Sequence, residues 1–137
     1  MSKFTKKAIM HEFMKILEEK SLDKITVKDI CERSEINRNT FYYYFDNVYD
    51  VLYSIFEIEK KQMLEDVEES DSFLEEYKKT ASFVVNNKKA VINIYQSKNG
   101  DILLNYFEAV TMDFVKRAVK KTAEGYRISE ENINYIS

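Results

Sequence analysis

Six hydrogen-bonding side chains, Arg38, Asn39, Thr40, Tyr42, Tyr43 and Tyr44, crowd into seven residues. A guanidinium can fork onto the two major-groove acceptors of guanine, and a carboxamide can donate to and accept from adenine. Phenol hydroxyls such as those of Tyr42 and Tyr44 suit phosphate oxygens, contacts that position a protein without reading sequence. At about 100° per residue, Asn39 and Tyr43 point away from Phe41 and Phe45. Thr40 and Tyr42 then fall on the flanks and Arg38 in the exposed first turn. A helix of about eight residues is roughly 12 Å long, close to the width of the B-DNA major groove. Tyrosines beside phenylalanines are often core, so at least one of Tyr42, Tyr43 and Tyr44 is expected to be partly buried.

Such a helix needs a support, and the residues before it supply one. Thr26 can accept from the backbone N–H of Asp29, whose carboxylate sits at the positive end of a helix starting there. Val27, Ile30 and Cys31 follow at i, i+3 and i+4, a stripe that one helix turn gathers onto a buried face, while Lys28, Glu32 and Arg33 face water. Asn37 starts the next helix as its cap, and Phe41 and Phe45 mark that helix's inward side. Only Ser34, Glu35 and Ile36 remain for the turn. Helices joined so tightly cross steeply and leave the second one protruding, the arrangement of a helix-turn-helix.

The run Thr26-Val27-x-x-Ile30, then Asn37-Arg38-Asn39-Thr40-Phe41-Tyr42-Tyr43-Tyr44-Phe45, then Val51-Leu52 resembles the DNA-binding domain of the TetR family of bacterial transcriptional regulators. The resemblance covers roughly residues 4–60, and Thr40-Phe41-Tyr42-x-Tyr44-Phe45 is its most specific part. It implies an all-α fold: an N-terminal three-helix DNA-binding domain, over residues 1–64, joined by a long fourth helix to a helical ligand-binding and dimerisation domain, over 65–137. It also implies a repressor that binds a palindromic operator as a homodimer and is released by a small molecule. Carried onto this chain, it assigns DNA-backbone contact to Thr26, Tyr42 and Tyr44, and base-edge contact to Arg38, Asn39, Thr40 and Tyr43. Lys28 and Asn47 complete the expected DNA-contact set. Two positions depart from the family pattern. Glu35 stands where the turn often has glycine, so a left-handed residue there would carry strain, and either some strain or a different turn is expected. Val48 stands where a lysine usually approaches phosphate at the start of the fourth helix.

Composition agrees with the fold independently. The chain has no proline, only Gly100 and Gly125 as glycines, and 137 residues, which bound it to one or two small helical domains. No apolar run approaches about 18 residues and no apolar leader opens the chain, so a cytoplasmic bacterial location without membrane contact is expected. The single cysteine, Cys31, falls on a buried stripe and reads as a small core residue. Residues 1–50 hold nine basic and nine acidic side chains, whereas 51–137 hold twelve against fifteen. Because DNA affinity rests largely on neutralised phosphates, a neutral DNA-binding half favours a dimer that pools its contacts. Lys3, Lys6 and Lys7 are second-tier phosphate candidates.

Along the chain, Phe4, Ala8, Phe13, Ile16 and Leu17 make a first amphipathic helix ending near Lys20, with His11 beside its apolar stripe as a structural histidine. Asp46 or Asn47 caps a helix running to about Glu68. The acidic stretch 65–72 marks a boundary or a loop. Helices follow over about 73–85, 88–96 and 102–121. After Gly125 a fresh start appears at Ser129, with Glu130 and Glu131 in its first turn and Ile133, Tyr135 and Ile136 opening an apolar face. That pattern reads as a last helix cut short and a regulatory domain incomplete relative to the family's dimer bundle. Phe56, Met63, Tyr77, Phe83, Tyr95, Tyr106 and Phe107 could line a cavity for a small apolar or aromatic effector. No convergent acid, base, nucleophile, metal-ligating or phosphate-loop set is present, so neither catalysis nor a cofactor is expected. The alternative is a helical adaptor that uses the same exposed aromatics on a protein partner.

Overall fold

The computed structural model describes residues 3–68 and 73–136, and among these it forms seven α-helices and no strand. They are α1 (Lys3–Glu19), α2 (Val27–Ser34), α3 (Arg38–Tyr44), α4 (Val48–Glu68), α5 (Phe73–Asn86), α6 (Lys88–Tyr95) and α7 (Asp101–Ile136). A single 3₁₀ turn at Leu22–Lys24 joins α1 to α2. The chain divides into two compact units after Leu103.

The first unit is built around α1, which packs on α2, α4 and α6. Ile9, Met10, Phe13, Ile16 and Leu17 of α1 meet Leu22, Ile30, Phe41, Phe45, Val51 and Leu52 in a core from which water is almost fully excluded. Each fully buried side chain of this size contributes about 1.5–3 kcal/mol. The inward face of α1 is therefore set by Ile9 and Met10. Phe4 and Ala8, expected on it, are exposed, because the stripe that continues from Phe13 and Ile16 runs through Ile9. His11 is also exposed rather than lodged against the core.

α6 also belongs to this unit. Ala90 and Ile94 are buried, and the Asn93 amide donates to the Leu17 carbonyl at 2.5 Å. The compact unit that holds the helix-turn-helix thus extends to Leu103, well past the acidic stretch, of which residues 69–72 lie outside the described residues.

The second unit is α7 from Leu104 onward. One helix of 36 residues runs from Asp101 to Ile136, where a stop near Lys121 and a new start at Ser129 were expected. A lone glycine costs a helix interior only about 1 kcal/mol, too little for Gly125 to break so long a run.

Candidate functional site

The local chemistry that starts α2 is a reciprocal cap. Thr26 Oγ1 accepts from the Asp29 N–H at 3.1 Å, and Asp29 Oδ2 accepts from the Thr26 N–H at 3.0 Å. This satisfies two of the helix's N-terminal donors and leaves the N–H groups of Val27 and Lys28 directed outward along the axis. Lys20 Nζ donates to the same Asp29 oxygen at 3.0 Å. That ammonium, with the two Thr26 hydrogen bonds, holds the Asp29 carboxyl below its ordinary range. Arg33 forks onto Glu19 at 2.9 and 3.2 Å and lies 3.6 Å from Glu12, which clamps the far end of α2 to α1. The fork draws the Glu19 carboxyl down in turn. Arg33 is therefore a positioning residue. The helix pattern placed it among the water-facing side chains, and only the packing of α1 on α2 reveals the clamp.

Of the two outcomes expected at the turn, strain or a different turn, the strained left-handed one forms. Glu35 adopts φ 56°, ψ 45°, the left-handed conformation, and the Ile36 N–H reaches the Cys31 carbonyl at 3.0 Å. A six-to-one bond across a left-handed residue is the Schellman helix stop, usually built on glycine. Here the turn forms with glutamate in that place. Burial pushes the Cys31 thiol up, in keeping with a core side chain.

α3 then begins at Asn37, whose Oδ1 accepts from both the N–H and the hydroxyl of Thr40, at 2.8 and 3.1 Å. Phe41 and Phe45 anchor the inner face. Arg38, Asn39, Tyr42 and Tyr43 stand in solvent, with Tyr43 two-thirds exposed, and Tyr44 is half-buried with its ring 4.9 Å edge-on from that of Tyr43. Tyr42 makes the matching edge contact to Phe41 at 5.3 Å. Each exposed phenol thus packs edge-on against a neighbouring ring. Thr26, Lys28 and Asn47 are exposed as well. Asn47 Oδ1 caps α4 through the Asp50 N–H at 2.8 Å, which turns its amide nitrogen into an available donor. Thr40 is the exception in the expected base-reading set: its hydroxyl proton is committed to Asn37, so it can offer a base only an acceptor or its methyl. Lys28 leans toward Glu32 at 3.9 Å. Lys6 lies over the Phe45 ring at 5.6 Å, which spends part of its charge locally.

The expected effector residues do not converge on one cavity. Met63 and Phe83 line an open groove of about 340 Å³ between α4 and α5, together with Glu59, Gln62, Lys79, Ser82, Asn86 and Asn87. Phe56 and Tyr106 are buried and Phe107 is half-buried, while Tyr77 and Tyr95 are exposed. Burial in the groove pushes the Glu59 carboxyl up. Six of its eight lining residues have polar side chains, yet polar and apolar atoms share the wall equally, a mixture that an aromatic count could not reveal.

An exposed, rigidly capped helix with an arginine, an asparagine and outward phenols, set on a three-helix scaffold, defines a helix-turn-helix DNA-binding protein. Residues 5–53 match the family described as bacterial regulatory proteins, tetR family, and residues 71–137 match the family described as transcriptional regulator C-terminal region. The chain belongs to the TetR family and is a DNA-binding transcriptional regulator. No curated protein and no solved structure matches it. Among the described residues no helix is long and apolar enough to cross a membrane, and no cluster of potential metal ligands occurs.

Proposed function

We propose that the chain is a repressor that binds a palindromic operator as a homodimer and releases it when a small molecule binds the regulatory half. Residues 1–64 act as the reader and 65–137 as the regulatory part. The observation that supports this most directly is the outward display of Arg38, Asn39, Tyr42 and Tyr43 on a short helix whose inner face is fully buried. Arg38 and Asn39 read base edges, with Tyr43 beside them. Tyr42, Tyr44, Thr26, Asn47 and the start of α2 grip phosphates. A two-fold dimer presents two such helices to successive major grooves about 34 Å apart.

The α4–α5 groove supports the effector reading. A molecule that wedges α4 from α5 acts on the helix that carries Val51 and Leu52 into the reader's core. Six polar residues in its lining favour an effector with its own donors and acceptors over a purely apolar one.

The test is titration of a fluorescent palindromic duplex over a range of salt. Binding should weaken linearly in log–log form as salt rises, and Arg38→Ala combined with Tyr42→Ala should abolish specific binding. Binding that shows no salt dependence and survives the double substitution sinks the DNA reading and leaves the adaptor reading in its place.

A further inference from the structure

Glu59 stands half-buried in the wall of the α4–α5 groove. Among the described residues no ammonium or guanidinium pairs with its carboxylate and no donor hydrogen-bonds to it. Its own helix supplies no cation, because the positions one turn away hold Ile55, Phe56, Gln62 and Met63, while Lys60 and Lys61 fall on other faces. From α5 the facing cation is Lys79, and it makes no ion pair with Glu59. Burial without a partner is what pushes this carboxyl up. A carboxylate drawn partly out of water costs stability until an opposite charge meets it, and a cleft that keeps one in this state is suited to a ligand that brings the charge.

We propose that the groove takes a primary organic ammonium ion, its nitrogen on Glu59 and its hydrocarbon part on Met63 and Phe83. The proposal rests on the reading of this groove as the effector site, and it names the effector's chemical class. The rest of the wall fits such an ion. The Asn87 amide nitrogen donates to the Phe83 carbonyl at 3.0 Å, which leaves the Asn87 oxygen as an acceptor beside the carboxylate for an ammonium that carries three N–H donors. The Thr80 hydroxyl donates to the Met63 sulfur at 3.4 Å, so a side chain with three rotatable bonds is held in place as the apolar wall. The half-buried Phe83 ring adds a face that attracts a cation. At about 340 Å³ the space holds a small molecule rather than a lone ion. A neutral apolar ligand would dry the carboxylate and leave it unpaired, and an anion would be repelled by it.

The experiment titrates the full chain, carrying methyl-labelled methionine, with phenylbutylamine, phenylbutanol and phenylbutyrate, which share one hydrocarbon part and differ in charge. The Met63 methyl resonance, assigned through Met63→Leu, reports binding at the groove. It should titrate with the amine about ten-fold more tightly than with the alcohol, and most weakly with the carboxylate. Glu59→Gln should bring the amine down about ten-fold, to the level of the alcohol, without changing the alcohol's affinity or the helicity seen by circular dichroism. A Met63 methyl that does not respond to the amine by about 10 mM, a preference for the alcohol or the carboxylate, or an amine affinity indifferent to Glu59→Gln would each overturn the proposal. Should that variant lose helicity, the order of the three probes on the wild type decides alone. Release of a fluorescent operator duplex is followed in the same titrations. An amine that binds in this order yet leaves the duplex bound supports the site and refutes the effector reading, whereas release by the alcohol or the carboxylate through the same methyl keeps the effector reading and overturns the ammonium.

Discussion

Asn99 Nδ2 donates to Asp23 Oδ1 at 3.0 Å, which joins the turn before α7 to the turn after α1. The Lys98 N–H donates to the other Asp23 oxygen at 2.6 Å, and the same Asn99 amide reaches the Tyr49 hydroxyl at 3.1 Å. One carboxylate therefore ties the end of α6 to the scaffold of the reader, beside the start of α4. Hydrogen bonds to a charged acceptor in a partly solvated place are worth about 1 kcal/mol each.

Asp23→Ala and Asn99→Ala should each lower unfolding free energy by about 1–2 kcal/mol, and the double variant should lose about 0.5 kcal/mol or more less than their sum. Urea denaturation of the four proteins measures this. Strict additivity would mean that the two side chains do not act through one another.

Substitutions on α3 should separate reading from gripping. If Arg38 forks onto a base edge as proposed, Arg38→Ala should cost about 1–3 kcal/mol on the preferred operator, together with discrimination at one base pair. On the proposed reading Tyr42 grips phosphate, so Tyr42→Phe should weaken all duplexes alike and leave the ranking of operators unchanged. Competition binding against a panel of single-base operator variants distinguishes the two, and a changed ranking for Tyr42→Phe would place that phenol at a base instead.

Glu35 holds a left-handed backbone that costs a residue with a Cβ about 1–2 kcal/mol, at a helix end whose partial negative charge also repels its carboxylate. Glycine relieves both but gives back about 0.5–1 kcal/mol through the freer unfolded chain. Glu35→Gly should therefore raise stability by about 0.5–1 kcal/mol, visible as a higher melting temperature. Glu35→Asn, which tolerates the conformation, should fall between the two, and a destabilised glycine variant would contradict the account.

The reader was legible because its signals are local. Thr26 with Asp29, Asn37 with Thr40, and Phe41 with Phe45 are each three or four residues apart, and a helix turn brings them together whatever the rest of the chain does. The left-handed Glu35 was suggested only by the family's usual glycine at that turn, with a different turn left open. What escaped the sequence was set by partners far along the chain: Arg33 on Glu19, Asp23 on Asn99, and α6 against α1. The effector residues failed for a related reason. Aromatic type predicts burial, not which void it borders, so Phe56 went to the core and Tyr77 to solvent while the groove took a mixed polar and apolar wall that includes Met63 and Phe83. Gly125 misled because a breaker was weighed without the length of helix on either side of it.

Acid should loosen α2 first. Lys20 and the Thr26 hydrogen bonds hold the folded-state carboxyl of Asp29 below its unfolded value, and Arg33 does the same for Glu19. A depressed carboxyl contributes stability above its unfolded pKa, about 4, and loses that contribution as pH falls through the folded value. Stability should thus be level near neutrality and decline below about pH 4. Asp29→Asn should lower stability at neutral pH and flatten the acid decline, and an unchanged slope in pH-dependent denaturation would show that the Lys20 pair is energetically silent.

Val48 opens α4, half-buried, one residue after the exposed cap Asn47. On the proposed reading Asn47 beside it grips phosphate, so a lysine at 48 would add a charge next to that contact. The positive end of the helix opposes such a charge by about 0.3–1 kcal/mol, so Val48→Lys should slightly destabilise the free protein. On DNA the balance reverses, because each neutralised phosphate releases counterions and adds about 0.9 to the slope of log affinity against log salt. The proposed dimer would gain two such contacts, so the slope should steepen by about 1.8, with tighter binding at low salt that fades as salt rises. Measuring affinity across salt for wild type and variant decides it. An unchanged slope would place the start of α4 away from the phosphate backbone and move the burden of affinity onto α2 and the tyrosines of α3.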